Sequence, residues 1–350
     1  MREEMMREES CIRKAIKKLT SGIDLHEDEV IAAISEIMDG FASDAQTAAF
    51  ITALKLKGEN AAEIAGCVRI MREKAEKLKI TAPFTIDTCG TGGDGTNTFN
   101  ISTASAIVAA AAGATVAKHG NRSVSSRCGS ADVLEALGVN INLPPLLTGH
   151  CIDEVGIGFL FAPLYHKSMK HAATARKEIG ISTIFNIAGP LSNPAEPGGQ
   201  VVGVNSARLM VLVPEALCHL NIKRAMVLYA SDGMDEITLS GETSIVEIKD
   251  GRIVGEYSIS PGSAGLSEAP LSALAGGSAI ENAKIIQNIF DGEKGPAKDV
   301  VVINCAAALY VAALAGDMKE GADIAKDAIS SGKAKQKFKQ FAAFTNKYSS

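Results

Sequence analysis

Apolar positions recur at three- and four-residue spacing through the first eighty residues, which predicts several amphipathic helices. Glu27 to Met38 places Val30, Ile31, Ile34, Ile37 and Met38 on one stripe and stops at Gly40. Ser43-Asp44-Ala45-Gln46 reads as a capping box for a helix ending near Gly58, and Asn60-Ala61-Ala62-Glu63 opens another in the same way. No reactive constellation stands in this stretch, and His26 reads as a surface residue. From Phe84 the pattern changes to short apolar runs alternating with helical ones, as in a sheet covered on both faces. Strands are predicted at Phe84-Thr85-Ile86, Ala114 to Ala117, Val139 to Leu143, Gly156 to Ala162 and Ala225 to Ala230. Helices are predicted at Ala104 to Ala112, capped by Ser102 or Thr103, at Ala131 to Leu137, capped by Ser130 and ended by Gly138, and at Ser168 to Ile179. Thr243 to Ser260 reads as a hairpin turning at Asp250-Gly251, and Val300 to Ala315 as a buried apolar helix or strand plus helix.

Composition fits this layered picture. The chain has 350 residues, 46% of them hydrophobic and 21% charged, enough for a sizeable core and for two domains. Its net charge of −5 comes without a long basic run, which argues against a nucleic-acid partner. The seven cysteines form no C-x-x-C pair and are odd in number, the usage of reduced thiols in a cytoplasmic protein. Apolar runs are too short and interrupted to span a bilayer, and Met1 to Ser10 lacks the apolar stretch of a signal peptide.

The chemistry concentrates between Asp87 and Leu137. Gly90-Thr91-Gly92-Gly93-Asp94-Gly95 lies between a predicted strand and a predicted helix N-terminus. Glycines let a backbone approach a phosphate closely, and the free N–H groups of a first helical turn point at it. The same six residues fit G-x-G-x-x-G, the dinucleotide fingerprint. That site starts its helix at once and places an acid about 20 residues on, against the ribose. Here Asp94 to Asn97 still reads as loop, and the next strand ends in Lys118-His119-Gly120-Asn121-Arg122, so the nicotinamide reading is set aside. Nor does G-x-x-x-x-G-K-[ST] occur. The run Lys118 to Arg127 supplies three cations and three hydroxyls, suited to several phosphate groups at once. Ser231-Asp232-Gly233-Met234-Asp235-Glu236 follows a predicted buried strand, where sheet proteins bind ligands, and its adjacent acids suit a Mg²⁺ ion facing the phosphate loops. Asn186-Ile187-Ala188-Gly189-Pro190-Leu191-Ser192-Asn193-Pro194 reads as a hinge-like loop that sets chain direction.

Gly90-Thr91-Gly92-Gly93-Asp94, Asn100-Ile101-Ser102-Thr103, Lys118 to Arg122, Gly129-Ser130-Ala131-Asp132-Val133-Leu134-Glu135, the 186–194 stretch and Asp232 to Glu236 together closely resemble the signature of the anthranilate phosphoribosyltransferases. The resemblance runs from about Ile12 onward. It implies a small helical domain plus a larger α/β domain with a central, mainly parallel sheet, the nucleoside phosphorylase-like phosphoribosyltransferase fold. The expected division is 1–79, with 165–180 packing into it, and 80–350. It further implies transfer of the phosphoribosyl group of phosphoribosyl pyrophosphate to the amine of anthranilate, a step in tryptophan biosynthesis, by a Mg²⁺-dependent homodimer paired through its helical domain. Phosphoribosyl pyrophosphate is then expected at Gly90, Gly93, Asp94, Thr98, Asn100, Ile101, Ser102, Thr103, Lys118, His119, Gly120, Asn121, Arg122, Ser123, Ser125, Ser126 and Ser130. Anthranilate is expected at Gly90, Asn121 and Arg176, with Arg176 on its carboxylate and His119 near its amine; Mg²⁺ is expected at Ser102, Asp235 and Glu236. No general base is assigned. His166 and His171 stay open between a solvated basic face and a part in the site. Cys128 stands where a serine is common in the family. A pyrimidine nucleoside phosphorylase would share the fold but need no paired acids, and a nucleic-acid-binding relative would show a basic face and lose Asp235 or Glu236.

Overall fold

A computed structural model describes residues 10–123 and 127–348. Ser125 and Ser126, expected on the phosphate, lie outside the described residues, as do residues 1–9. The α/β part is built on a seven-stranded sheet of order β3-β2-β1-β4-β5-β6-β7. The strands are β1 (Ile86–Gly90), β2 (Val116–Gly120), β3 (Ile157–Phe161), β4 (Gly199–Gly203), β5 (Arg224–Ala230), β6 (Thr243–Lys249) and β7 (Arg252–Ile259). The first five run parallel, and β6 and β7 are antiparallel, joined by the expected hairpin at Asp250-Gly251. Chain order moves outward from β1 to β3, then restarts at β4 on the other side of β1. That reversal opens a crevice at the carboxyl ends of β1 and β4, the place where open parallel sheets bind ligands.

Successive side chains on a strand face opposite ways, so each face of the sheet has its own core. Val201, Met226 and Leu228 join one core with the helices Ile101–Ala111 and Pro296–Val311. Val202, Val204, Ala225 and Val227 join another with the N-terminal helices Cys11–Thr20, Glu27–Met38, Asp44–Lys57 and Ala61–Glu73. The chain therefore has a small N-terminal helical domain seated on a larger α/β domain. Its helix boundaries follow the predicted signals: Ser43 accepts from Gln46 N–H at 3.2 Å and Asn60 from Glu63 N–H at 2.8 Å. His26 immediately precedes its helix and is exposed. The helix Lys170–Ile179 packs against Asp44–Lys57 and Glu27–Met38 and buries Ala172 there.

Four local expectations are corrected. First, β1 begins at Ile86 and continues through Asp87 to Gly90 rather than covering Phe84 to Ile86. Polar Asp87 sits fully inside because Asn193 Nδ2 (2.8 Å) and His119 N–H (3.3 Å) donate to its carboxylate. Second, Val139 to Leu143 is no strand. Asn140 instead donates from its backbone to Thr345 Oγ1 and from its side chain to Thr345 O, tying the segment to the C-terminal helix. Third, the supposed hinge loop contains the helix Ile184–Leu191, with Pro190 in its last turn, where a missing N–H forfeits a single helical bond. Fourth, the helix after the glycine loop starts at Ile101, so Ser102 and Thr103 lie in its first turn and are not its cap.

Candidate active site

The glycine loop leaves β1 at Gly90 and turns through Gly92, Gly93, Gly95 and Asn97, with φ of +64°, +73°, +73° and +54°. Only glycine takes this left-handed backbone routinely, which accounts for three of the four glycines. Gly90 is required for a different reason. A Cβ there would lie 2.3 Å from Asp235 Oδ2, and one on Gly203, its partner across the β1–β4 ladder, 1.6 Å from Asp235 O. The two glycines at the strand ends make room for the acid loop. Asn205 Nδ2 donates to Gly92 O at 2.6 Å, and Gly276 N to Asn97 O at 2.9 Å, pinning the loop at both ends. Neither pin was legible in the sequence, because a loop asparagine carries no periodic signal.

Two carboxylates enter this loop from after β5. Asp235 Oδ2 accepts from Gly92 N–H at 2.7 Å, and Glu236 Oε1 accepts from Ser102 N–H at 3.0 Å, a free donor of the first helical turn. Burial pushes Asp235 up to about 7 and raises Glu236 strongly too; Asp94 adds repulsion at Asp235, and Asp235 in turn repels Glu236. Lys118 lies beneath, 3% exposed, with Nζ 2.6 Å from Thr88 O and 3.4 Å from Ser102 Oγ. Its charge opposes, without cancelling, the rise at Glu236.

The sequence placed Lys118 and His119 in the second loop, but they belong to β2 and are buried. The His119 ring packs edge-on to His166 at 5.1 Å, and among the described residues His119 Nε2 has no hydrogen-bond partner, while the His166 ring faces the Met71 backbone. Burial holds His119 well below the ordinary histidine value and His166 at about 4, so both rings are neutral at pH 7. Gly189, in the helix Ile184–Leu191, presents its backbone to His119. One turn earlier on that helix, Phe185 lies 5.3 Å under the guanidinium of Arg176. Arg176 is half-buried, and among the described residues it pairs with no carboxylate. The helix Ile184–Leu191 thus touches both of these residues, Arg176 through Phe185 and His119 through Gly189.

The remaining expected residues divide. Asn121, Arg122 and Ser123 follow β2, Asn121 and Arg122 exposed and Ser123 half-buried. Ser130 Oγ donates to Asn121 O at 3.3 Å, holding the far end of that loop close to its start. Gly120, at the end of β2, leaves room for Ser130. Thr98 pairs with Ala275, and Asn100 is tied to Cys128 O and to Asn282 Nδ2. Ile101 and Thr103 are each 1% exposed, and the Thr103 hydroxyl faces an interior lined by Ile107 and Leu134.

A glycosyl transferase family helical bundle domain matches residues 13–75, and a glycosyl transferase family a/b domain matches residues 82–335. The anthranilate phosphoribosyltransferase of Acetivibrio thermocellus is 55% identical over 337 residues, 96% of this chain and 97% of that one. The chain belongs to the anthranilate phosphoribosyltransferase family. The Clostridium kluyveri enzyme is 50% identical, over 96% of this chain and all of its own length. Among solved structures, anthranilate phosphoribosyltransferase from Thermus thermophilus superimposes with a TM-score of 0.89 at 42% identity, over 95% of this chain and 99% of its own. The Saccharomyces cerevisiae enzyme in complex with PRPP and Mg matches at 0.89 and 27% identity, over 97% and 99% of the two chains.

Proposed function

We propose that this chain transfers the 5-phosphoribosyl group of phosphoribosyl pyrophosphate to the amine of anthranilate, releasing pyrophosphate. The observation that carries the reading is the meeting of Asp235 and Glu236 with the N–H groups of Gly92 and Ser102 at the crevice between β1 and β4. The reaction breaks the ribose C1–O bond, building negative charge on the departing pyrophosphate, which must be neutralised where it develops.

The residues present fit Mg²⁺. Two half-buried carboxylates that repel one another, with the Ser102 hydroxyl nearby, are a hard oxygen donor set that a cation would relieve. Among the described residues no three histidines, cysteines or acids gather into a metal cage. That suits an ion which keeps waters and is completed by substrate phosphates. When bound, Mg²⁺ would polarise and neutralise the phosphate oxygens. Gly90 to Asp94 and the first turn of the helix Ile101–Ala111 would cradle the pyrophosphate, with Lys118 supplying fixed positive charge below. Asn121 to Ser123, Ser130 and the Ser125-Ser126 segment would hold the rest of the substrate.

Arg176 would hold the anthranilate carboxylate, and the neutral His119 and the Asn121 amide would face its amine. An aromatic amine is already nucleophilic when held in line, so positioning replaces a general base. We place the protein in the cytoplasm, in keeping with its free thiols. We also place it in a homodimer, with residues 1–79 and 165–180 as the pairing unit, where Ile23, Phe41 and Leu56 stand exposed. Among the described residues no helix is long and apolar enough to cross a membrane. The test is the loss of anthranilate fluorescence on adding phosphoribosyl pyrophosphate, with and without Mg²⁺. No turnover with both present would overturn the assignment.

A further inference from the structure

The helix Pro296–Val311 fills the core beneath the sheet, and from Val300 to Leu309 every residue but one is fully buried and apolar. The exception is Asn304, 3% exposed. Its side chain accepts from Ile237 N–H at 2.9 Å and donates to Ile237 O at 2.9 Å and to Val300 O at 2.9 Å. One amide therefore satisfies both backbone groups of Ile237, as a neighbouring strand would. Ile237 directly follows Glu236. The peptide plane that carries Ile237 N–H also carries Glu236 C=O, so holding that N–H fixes one of the two peptide planes flanking the Glu236 Cα. The rest of the acid loop is closed by its own residues: Asp232 Oδ2 accepts from Thr238 Oγ1 at 2.6 Å and from Ser240 Oγ, and Oδ1 from Met234 N–H at 3.2 Å. This clip shapes the loop, and the buried side chains of Met234, Ile237 and Leu239 seat it on the core. Asn304 adds the directional, hydrogen-bonded link at Ile237.

We propose that Asn304 is a positioning residue for the acid pair, aiming Asp235 and Glu236 at the glycine loop and the first turn of the helix Ile101–Ala111. The inference rests on the reading of those acids as Mg²⁺ ligands. A partner behind a metal ligand is typically worth about 10–100-fold in metal affinity. Asn304→Leu keeps the size and removes all three hydrogen bonds. Asn304→Asp keeps an acceptor for Ile237 N–H. Leu309→Ala, in the same helix and equally buried, serves as a destabilised control that leaves the acid loop alone.

Each variant is compared by thermal melt, by the Mg²⁺ dependence and anthranilate KM of turnover, and by electron paramagnetic resonance of Mn²⁺ bound in the presence of phosphoribosyl pyrophosphate. The half-saturating Mg²⁺ of Asn304→Leu is expected to rise about 10–100-fold, with Mn²⁺ binding weakened in step and the anthranilate KM unchanged. Asn304→Asp should shift less, and Leu309→Ala should keep wild-type metal curves even where its melt matches that of Asn304→Leu. Metal curves shared by Asn304→Leu and Leu309→Ala would reduce Asn304 to an ordinary core hydrogen bond and overturn the proposal. If Asn304→Leu does not fold, wild-type metal curves for Asn304→Asp overturn it. The double variant Asp235→Ala/Glu236→Ala separates the two ideas. Wild-type Mn²⁺ binding there removes the acids as ligands, whereas weakened binding there with none in the Asn304 variants removes only the role of Asn304.

Discussion

The two loops that face the crevice manage charge in opposite ways. In the second, Arg122 spreads its guanidinium over Asp132 Oδ1 at 3.0 Å and Glu135 Oε2 and Oε1 at 2.9 and 3.1 Å. Arg122 and Glu135 are about half exposed, and Asp132 is less so; the Ser123 and Gly129 N–H groups and then Arg122 hold Asp132 below the usual carboxylate range, and Arg122 does the same for Glu135. In the first, two half-buried carboxylates stand side by side against N–H donors, and both are pushed up. Arg122 in the second loop is paired as it stands, whereas the acids of the first repel one another, so the two should respond very differently to the same kind of mutation.

Removing the acids is expected to have the largest effect. Asp235→Ala/Glu236→Ala should cost several kcal/mol of transition-state stabilisation, about a thousandfold or more in turnover. In metal-free buffer above pH 7 the same variant should melt higher than wild type, because the two mutually repelling charges are gone. The sign follows from the raised pKa values. The unfolded carboxyls ionise near pH 4 and the folded ones only near neutrality or above, so wild type loses stability as pH rises through that window. A lower melt for the variant at pH 8 would show that these acids are already satisfied.

Next in size is the glycine contrast. Gly203→Ala puts a Cβ against the Asp235 carbonyl, with no flexible side chain to yield, and should cost at least about 1–3 kcal/mol and most activity. Gly92→Ala meets nothing within 4 Å, so only its positive φ counts, roughly 1–2 kcal/mol. Melts and turnover of the pair check the order. A larger loss for Gly92→Ala would move the tight contact from the acid loop to the phosphate itself.

These contrasts also show what the sequence could reveal. The glycine loop, the acid pair and the capping boxes are local chemistry in consecutive residues, so they were legible before any fold was known. The burial of Asp87 was not, because its partner Asn193 lies 106 residues away and supplies the hydrogen bond that makes a polar strand tolerable. A proline-containing stretch read as a hinge is the helix Ile184–Leu191, since Pro190 in a last turn costs little. Asn304 left a trace, a lone amide in an apolar run, but its meaning depends on Ile237, which only the fold brings to it.

The root of the second loop offers a pH contrast with the acids. His166 packs on His119 and is neutral to about pH 4, whereas in the unfolded chain it protonates near 6.5. The unfolded state therefore binds more protons below 6.5, and stability falls as pH drops from there to about 4, by as much as about 3 kcal/mol. His166→Asn should lack that component, so its stability relative to wild type should improve on acidification. A constant difference across that range, read from denaturant melts, would mean that His166 is solvated. Arg176→Ala addresses the unpaired cation beyond it. Losing a charged hydrogen bond of about 1.5–3 kcal/mol should raise the anthranilate KM about 10- to 150-fold and leave that of phosphoribosyl pyrophosphate nearly unchanged. Equal shifts in both would take Arg176 off the carboxylate.

The smallest effect is expected where the charges are already paired. Exposed ion pairs contribute about 0–1 kcal/mol, so Glu135→Gln should change the melt by no more than that, against the gain expected at high pH for the acid pair. Its interest lies in what it frees. With one carboxylate neutralised, Arg122 leaves a weaker partner when it turns toward a substrate phosphate, so the KM for phosphoribosyl pyrophosphate should fall slightly while that for anthranilate stays put. Asp132 must be left intact in this test, because Oδ2 also accepts from Ser123 N–H at 3.0 Å and Gly129 N–H at 2.9 Å and so shapes the loop itself. Raised salt offers an independent check, since it screens an exposed pair far more than a buried one. If Glu135→Gln instead raised the KM for phosphoribosyl pyrophosphate, the pair would be holding Arg122 in its working position, and the second loop would be preformed rather than parked.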